Sequence, residues 1–289
     1  MPEKEYYPVV RSGRLNVPIG PYIQPAIEIN VEQLLSKVNR RLYRHGRTYD
    51  FKIDMDPDAA QVYRVYVLSD SWMNEKAFQM GYDMYLENSA DERERLKTSN
   101  LARWADFRTH TAFSHEYGHA NPVQFAEPPG AAHMFTAGEF DQTIVVDAAG
   151  VTKSFSWGPS AADKYSLLEE YDKAGNAQTS PDAVTGDMPY DDLMADDDAA
   201  MAATLQTHGN APPYDATGVS SGKTWAQVAT LRATTAGTKL STGFFKAPCG
   251  FVLITAGNSE TESPVLTTLQ WTAKAGDYKG VSAPSLLDV

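Results

Sequence analysis

The residues best placed to do chemistry are His115, Glu116 and His119, in the order His115-Glu116-Tyr117-Gly118-His119. In an HExxH motif the two histidines stand one helical turn apart and bind zinc, while the glutamate acts as general base on the metal-bound water. Glu139 or His133 stands downstream as a third ligand, and the assembled site would be that of a zinc metallopeptidase. The motif needs a helix to align its imidazoles. Here Gly118 lies inside it, Asn121-Pro122 ends any helix within a turn of His119, and Pro128, Pro129 and Gly130 interrupt the stretch leading to Glu139. The favoured reading is that His110, His115 and His119 are polar loop residues at a subunit contact. No residue is then catalytic, and zinc belongs only to the alternative.

A second constellation is cationic. Lys37, Arg40, Arg41, Arg44 and Arg47, with His45 among them, concentrate positive charge in a chain whose formal net charge is -12. On a helix they fall largely opposite the apolar stripe, and arginine suits phosphate, so a nucleic-acid-facing patch is one reading. A solvated helix face with ion pairs is the other. Asp191, Asp192, Asp196, Asp197 and Asp198 offer oxygen ligands to calcium at a subunit contact, but without the D-x-D-x-D-G spacing they read better as an exposed acidic loop. Cys249, set among Phe244, Phe245, Phe251, Leu253 and Ile254, reads as a small hydrophobe of a buried strand. Aromatics such as Trp157, Trp225 and Tyr214 would, if exposed on a sandwich, serve as a carbohydrate- or receptor-binding face.

The elements that must position these residues follow from periodicity. Residues 1–29 hold Pro2, Pro8, Pro18, Pro21 and Pro25 and read as an extended arm reaching a neighbour. Val31, Leu34, Leu35, Val38 and Leu42 form one stripe of a helix over 31–44, with Asn30 and Gln33 at its start and Gly46 at its C-cap. Tyr49, Phe51, Ile53 and Met55 alternate with charged residues as a strand, and 62–68 is a second strand, the two read as a hairpin or sheet neighbours around Pro57-Asp58. Helical spacing takes over at 72–104 as an insert of two helices. A second hairpin spans 140–147 and 151–157 around Ala149-Gly150, a short helix spans 164–172, and 160–215 is a long excursion. Strands return at 225–231, 243–255 and 265–274.

The chain has 289 residues, 42% of them apolar and 11% aromatic, enough to fill a core. One cysteine allows no internal disulfide, and secretion is not expected. MPEKEYYPVV lacks the apolar run of a signal peptide, and no window approaches a membrane span, so no membrane partner is expected. The acidic balance excludes a general polyanion binder and makes any nucleic-acid contact local. Strands at both ends of 30–289, each set unable to bury its face alone, predict a single domain.

Residues 35–44 (LSKVNRRLYR), 65–72 (VYVLSDSW) and 102–108 (ARWADFR) together resemble capsid proteins of small circular Rep-encoding single-stranded DNA viruses. Residues 209–214 (GNAPPY), 240–250 (LSTGFFKAPCG) and 275–281 (AGDYKGV) are similar too. The resemblance implies a mainly β fold, a single jelly-roll β-sandwich with helical insertions. It implies self-assembly of many copies into an icosahedral shell around a single-stranded DNA genome, with the chain located in the virion and, during assembly, inside the host cell. The host receptor is unspecified. Capsids of this kind commonly begin with an Arg-rich arm, whereas this chain begins MPEKEYY, so the 37–47 cations would have to face the genome instead.

Overall fold

Tyr49, Phe51, Ile53 and Met55 are buried while Asp50, Lys52 and Asp54 are only half-buried, the two-residue period of a strand with one face on a core. That strand is β3 (Thr48–Pro57). In the computed structural model the residues described are 8–19, 27–57, 62–96, 104–111, 143–147, 149–176, 224–235, 238–256 and 265–287. Before β3 come β1 (Ser12–Ile19), β2 (Ile27–Asn30) and the helix α1 (Val31–Asn39). After it come β4 (Val62–Leu68), then the helices α2 (Trp72–Asn88) and α3 (Ala90–Leu96). A small layer follows: β5 (Ile144–Val146), β6 (Thr152–Ser156), β7 (Lys164–Ser166) and the helix α4 (Leu167–Asn176). The chain returns through β8 (Trp225–Arg232), β9 (Leu240–Pro248), β10 (Phe251–Ala256) and β11 (Val265–Ala273).

The protein is mainly β, with two four-stranded antiparallel sheets in the orders β1-β11-β3-β9 and β2-β10-β4-β8. Phe51, Ile53, Leu269 and Trp271 of the first sheet share one core with Ile29, Val65, Val252 and Ile254 of the second, an arrangement compatible with a β-sandwich. The pairing is nested. Of the eight strands, the first pairs with the last (β1 with β11), then β2 with β10, β3 with β9 and β4 with β8. The helical insert and the small layer all lie in the one long connection from β4 to β8. They pack through Phe78, Phe107, Phe155 and Leu167 onto Leu68, Cys249 and Phe251.

Several expectations change. The segment read as an arm supplies strands to both sheets, and β1 carries Pro18 because it is an edge strand, where a missing ladder donor is tolerated. The strands at 49–55 and 62–68 are not neighbours, since β3 and β4 lie in different sheets. The apolar run 243–255 is two strands, broken where Cys249 and Gly250 take φ of 53° and 71° and send the chain from one sheet to the other. The helix over 31–44 stops at Asn39: Asn30 caps it by accepting from Gln33 N–H, and Arg40 ends it in the left-handed region at φ 50°. Residues 164–166 are strand rather than helix, and α4 starts at Leu167. The hairpin around Gly150 is present as β5 and β6.

Candidate functional site

Ser36 decides where the cationic stretch goes. Its carbonyl accepts from Arg41 N–H at 3.1 Å and its hydroxyl from Tyr43 N–H at 2.8 Å, so the chain turns off α1 and residues 40–47 run as a loop rather than a helix. Lys37, on the helix, is only 5% exposed and is therefore not on the solvent-facing patch expected of it. Arg40, Arg41 and Arg44 are exposed and Arg47 is half-buried.

The loop meets a turn from the far end of the chain. Tyr278 and Val281 exchange N–H to carbonyl bonds at 3.0 Å across Lys279 and Gly280, whose φ values are 50° and 88°. Such a two-residue turn with both residues left-handed favours Asn-Gly, yet here a lysine takes the first position, at a cost of about 1–2 kcal/mol. Tyr43 Oη donates to Lys279 O at 3.0 Å, and Arg44 N–H donates to Tyr278 Oη at 3.0 Å. The Arg47 guanidinium lies 3.6 Å from the centre of the Tyr278 ring and donates to Ala283 O at 2.7 Å. The Lys279 ammonium donates to Leu42 O and lies 5.3 Å from the same ring.

The result is a convergence of positive charge. Burial and then Arg44, Arg41 and Arg47 push the Lys279 ammonium below the usual lysine range, with Asp106 acting against them. Asp106 is already committed: it pairs with Arg44 at 3.0 Å and accepts from His45 N–H at 2.8 Å. Arg11 reaches the turn as well, donating to Gly280 O at 3.5 Å.

Beneath the loop lies a buried polar pedestal. His45 Nδ1 is 2.9 Å from Glu32 Oε1, and Nε2 is 2.7 Å from Thr109 Oγ1, which also accepts from Trp157 Nε1 at 2.8 Å. Burial alone would lower the imidazole, but Glu32, with Cys249, outweighs it and lifts His45 to about 10, so both ring nitrogens donate at neutral pH. Thr111 Oγ1 donates to Glu28 Oε2 at 2.8 Å. Cys249, His45 and Glu32 lie in the order of a nucleophilic triad, but burial pushes the thiol up and Cys249 is 0% exposed, so no thiolate faces a substrate. Cys249 is buried as read, but it stands in the turn between β9 and β10 rather than in a strand, with its thiol hydrogen-bonded to His45.

Arg40, Arg41, Arg44 and Arg47 are legible in the sequence as a cation cluster, whereas Lys279, Tyr278 and Asp106 join it only through the fold. The Lys279-Gly280 turn pair beside Tyr278 was the one local signal. His110 is not a surface loop residue: it is 2% exposed, with Nε2 2.8 Å from Ser154 Oγ. Trp157 is 2% exposed and Trp225 half-buried, so neither offers an open binding face. His115, Glu116, His119, His133 and Glu139, the acidic run from Asp191 to Asp198, and Tyr214 lie outside the described residues. Among the described residues no group of three or more His, Cys, Asp or Glu is placed to hold a metal ion, and no helix is long and apolar enough to cross a membrane. An open groove of about 600 Å³ lies between α2, α4 and the β5–β6 hairpin, lined by Met80, Met84, Val146, Phe155 and Leu167.

No family model, no curated protein and no solved structure matches this chain.

Proposed function

We propose that the chain is a capsid subunit that assembles in many copies into an icosahedral shell around a single-stranded DNA genome. The observation that carries this reading is the nested pairing of the eight strands. A long hairpin whose paired strands are rolled so that the arms alternate between two facing sheets is a jelly roll, the arrangement of many shell proteins. Its rigid sandwich leaves the long connection between β4 and β8 free to carry subunit contacts, and that connection holds Ile144 and Val146, 62% and 67% exposed beside the groove. Assembly then proceeds by burying complementary surfaces between identical subunits, which symmetry closes into a shell. The cations of the 40–47 loop give the subunit a local anion-facing surface despite its acidic balance.

The test is negative-stain electron microscopy with size-exclusion chromatography on the recombinant protein, with and without calcium, and with zinc measured on the same sample. Uniform closed particles are the expected result. A monodisperse monomer or dimer carrying stoichiometric zinc would overturn the shell and make His115, Glu116 and His119 a peptidase site, to be checked by Glu116→Gln.

A further inference from the structure

We propose that Arg41 and Arg44 of the 40–47 loop and Lys279 of the facing turn form a discrete site for a single phosphate group. The site needs only the folded subunit. Only the choice of a nucleic-acid backbone, rather than free phosphate, as its natural source rests on the shell reading.

Four features of the cluster lead there. First, like charges are brought together rather than kept apart: Arg41, Arg44 and Arg47 all act on Lys279. Charges on a flexible surface spread to relieve repulsion, whereas here the Lys279 ammonium is held by the Leu42 carbonyl, the Arg44 guanidinium by Asp106 and Ala105 O, and the Arg47 guanidinium by Ala283 O. Second, the carboxylate that acts on Lys279 is Asp106, and Arg44 and the His45 N–H already occupy its two oxygens. Among the described residues no second carboxylate acts on the ammonium, so an added anion would supply the counter-charge.

Third, both ends of the site are built on left-handed residues other than glycine, Arg40 and Lys279. Glycine or asparagine would hold either turn at lower cost, so a lysine kept there at φ 50° points to a use for its ammonium. Fourth, donors remain. An ammonium carries three N–H groups and the Leu42 carbonyl takes one. Arg41, which acts electrostatically on that ammonium, is exposed, and the fork of a guanidinium matches two phosphate oxygens. The aromatic ring below the site keeps water from one side and strengthens the attraction.

The experiment titrates wild type, Lys279→Asn and Arg41→Gln with inorganic phosphate at constant ionic strength, reading phosphorus NMR line width and the thermal midpoint. A parallel titration uses a short oligothymidylate. Asparagine tolerates the left-handed backbone, so Lys279→Asn keeps the turn and removes the ammonium; circular dichroism checks the fold. The expected result is saturable phosphate binding by wild type, weakened about tenfold or more in each variant. Equal phosphate responses in wild type and Lys279→Asn would overturn the site. If the oligonucleotide shows the same loss, the phosphodiester is a source of the ligand; if only inorganic phosphate binds, the site stands as one for free phosphate. Particle formation is scored separately on each sample, so phosphate binding by a subunit that forms no particles sinks the shell and keeps the site. Particles that bind no phosphate do the reverse.

Discussion

His45 Nδ1 lies 2.9 Å from Glu32 Oε1 with the two side chains 0% and 2% exposed, an ion pair sealed between α1, the following loop and the segment at Thr109. Breaking such a pair from one side leaves the other charge buried without compensation. Glu32→Gln is therefore expected to lower unfolding free energy by about 3–5 kcal/mol, read from the denaturant midpoint. A loss under about 1 kcal/mol would mean that the imidazole is neutral in the fold.

The same region makes stability depend on pH. Burial, with Glu32 adding to it and the Thr111 hydroxyl opposing it, pushes Glu28 up to about 7, and Glu32 holds His45 at about 10. Both folded values exceed the unfolded ones, 4.5 and 6.5, so the folded protein binds more protons. Stability is full below the unfolded values and is lost as pH rises through the folded ones. The thermal midpoint is expected to fall steadily from about pH 5 to about pH 9, with Glu28 contributing on the order of 3 kcal/mol. Glu28→Gln should flatten the part of the curve below neutrality. A midpoint that climbs over that range would refute both assignments.

Gly250 stands at the crossing between sheets with φ 71°, and a Cβ there would sit 2.9 Å from Glu32 Oε2 and 3.0 Å from Glu32 N. Gly250→Ala meets both a disfavoured left-handed backbone and a carboxylate bonded to His45. The expected cost is about 2–3 kcal/mol, measured by equilibrium unfolding. A neutral effect would show that the turn relaxes.

Lys279→Asn should do the opposite. Removing a repelled cation and placing a residue that accepts the left-handed backbone is expected to raise stability by about 1 kcal/mol in phosphate-free buffer. A lower midpoint there would mean that the ammonium's bond to Leu42 O outweighs its repulsion from the arginines.

Leu269 and Trp271 pack between the sheets at 0% and 1% exposure, with the Phe51 ring stacked on Trp271 at 6.2 Å. Trp271→Ala is expected to cost about 3–5 kcal/mol by transfer and cavity terms together, and to lower the yield of folded subunit. Near-native stability would place the shared core elsewhere.

What the sequence carried was whatever depends on neighbours a few residues away. The alternation at 49–55, the strand at 62–68, the capping Asn30, the helix from Trp72 and the hairpin around Gly150 each follow from local periodicity or turn chemistry, and each is present. Pro18 argued against a strand until an edge position excused its missing donor, and a continuous apolar run gave no sign that Cys249 and Gly250 divide it. The arginines were visible, but their partner Lys279 is separated from Arg44 by most of the chain, and Lys37 looked exposed because periodicity cannot say what covers a helix.

Composition and periodicity are enough to specify a mainly β chain with helical inserts, acidic overall, with one local concentration of arginine. Tertiary structure decided the rest: which strands share a sheet, which histidine is buried against a glutamate, and which distant turn completes the cation cluster. The reason is physical. Strand pairing and charge convergence depend on contacts between residues far apart in the chain, whose free energy comes from burial and fixed geometry that no local pattern encodes.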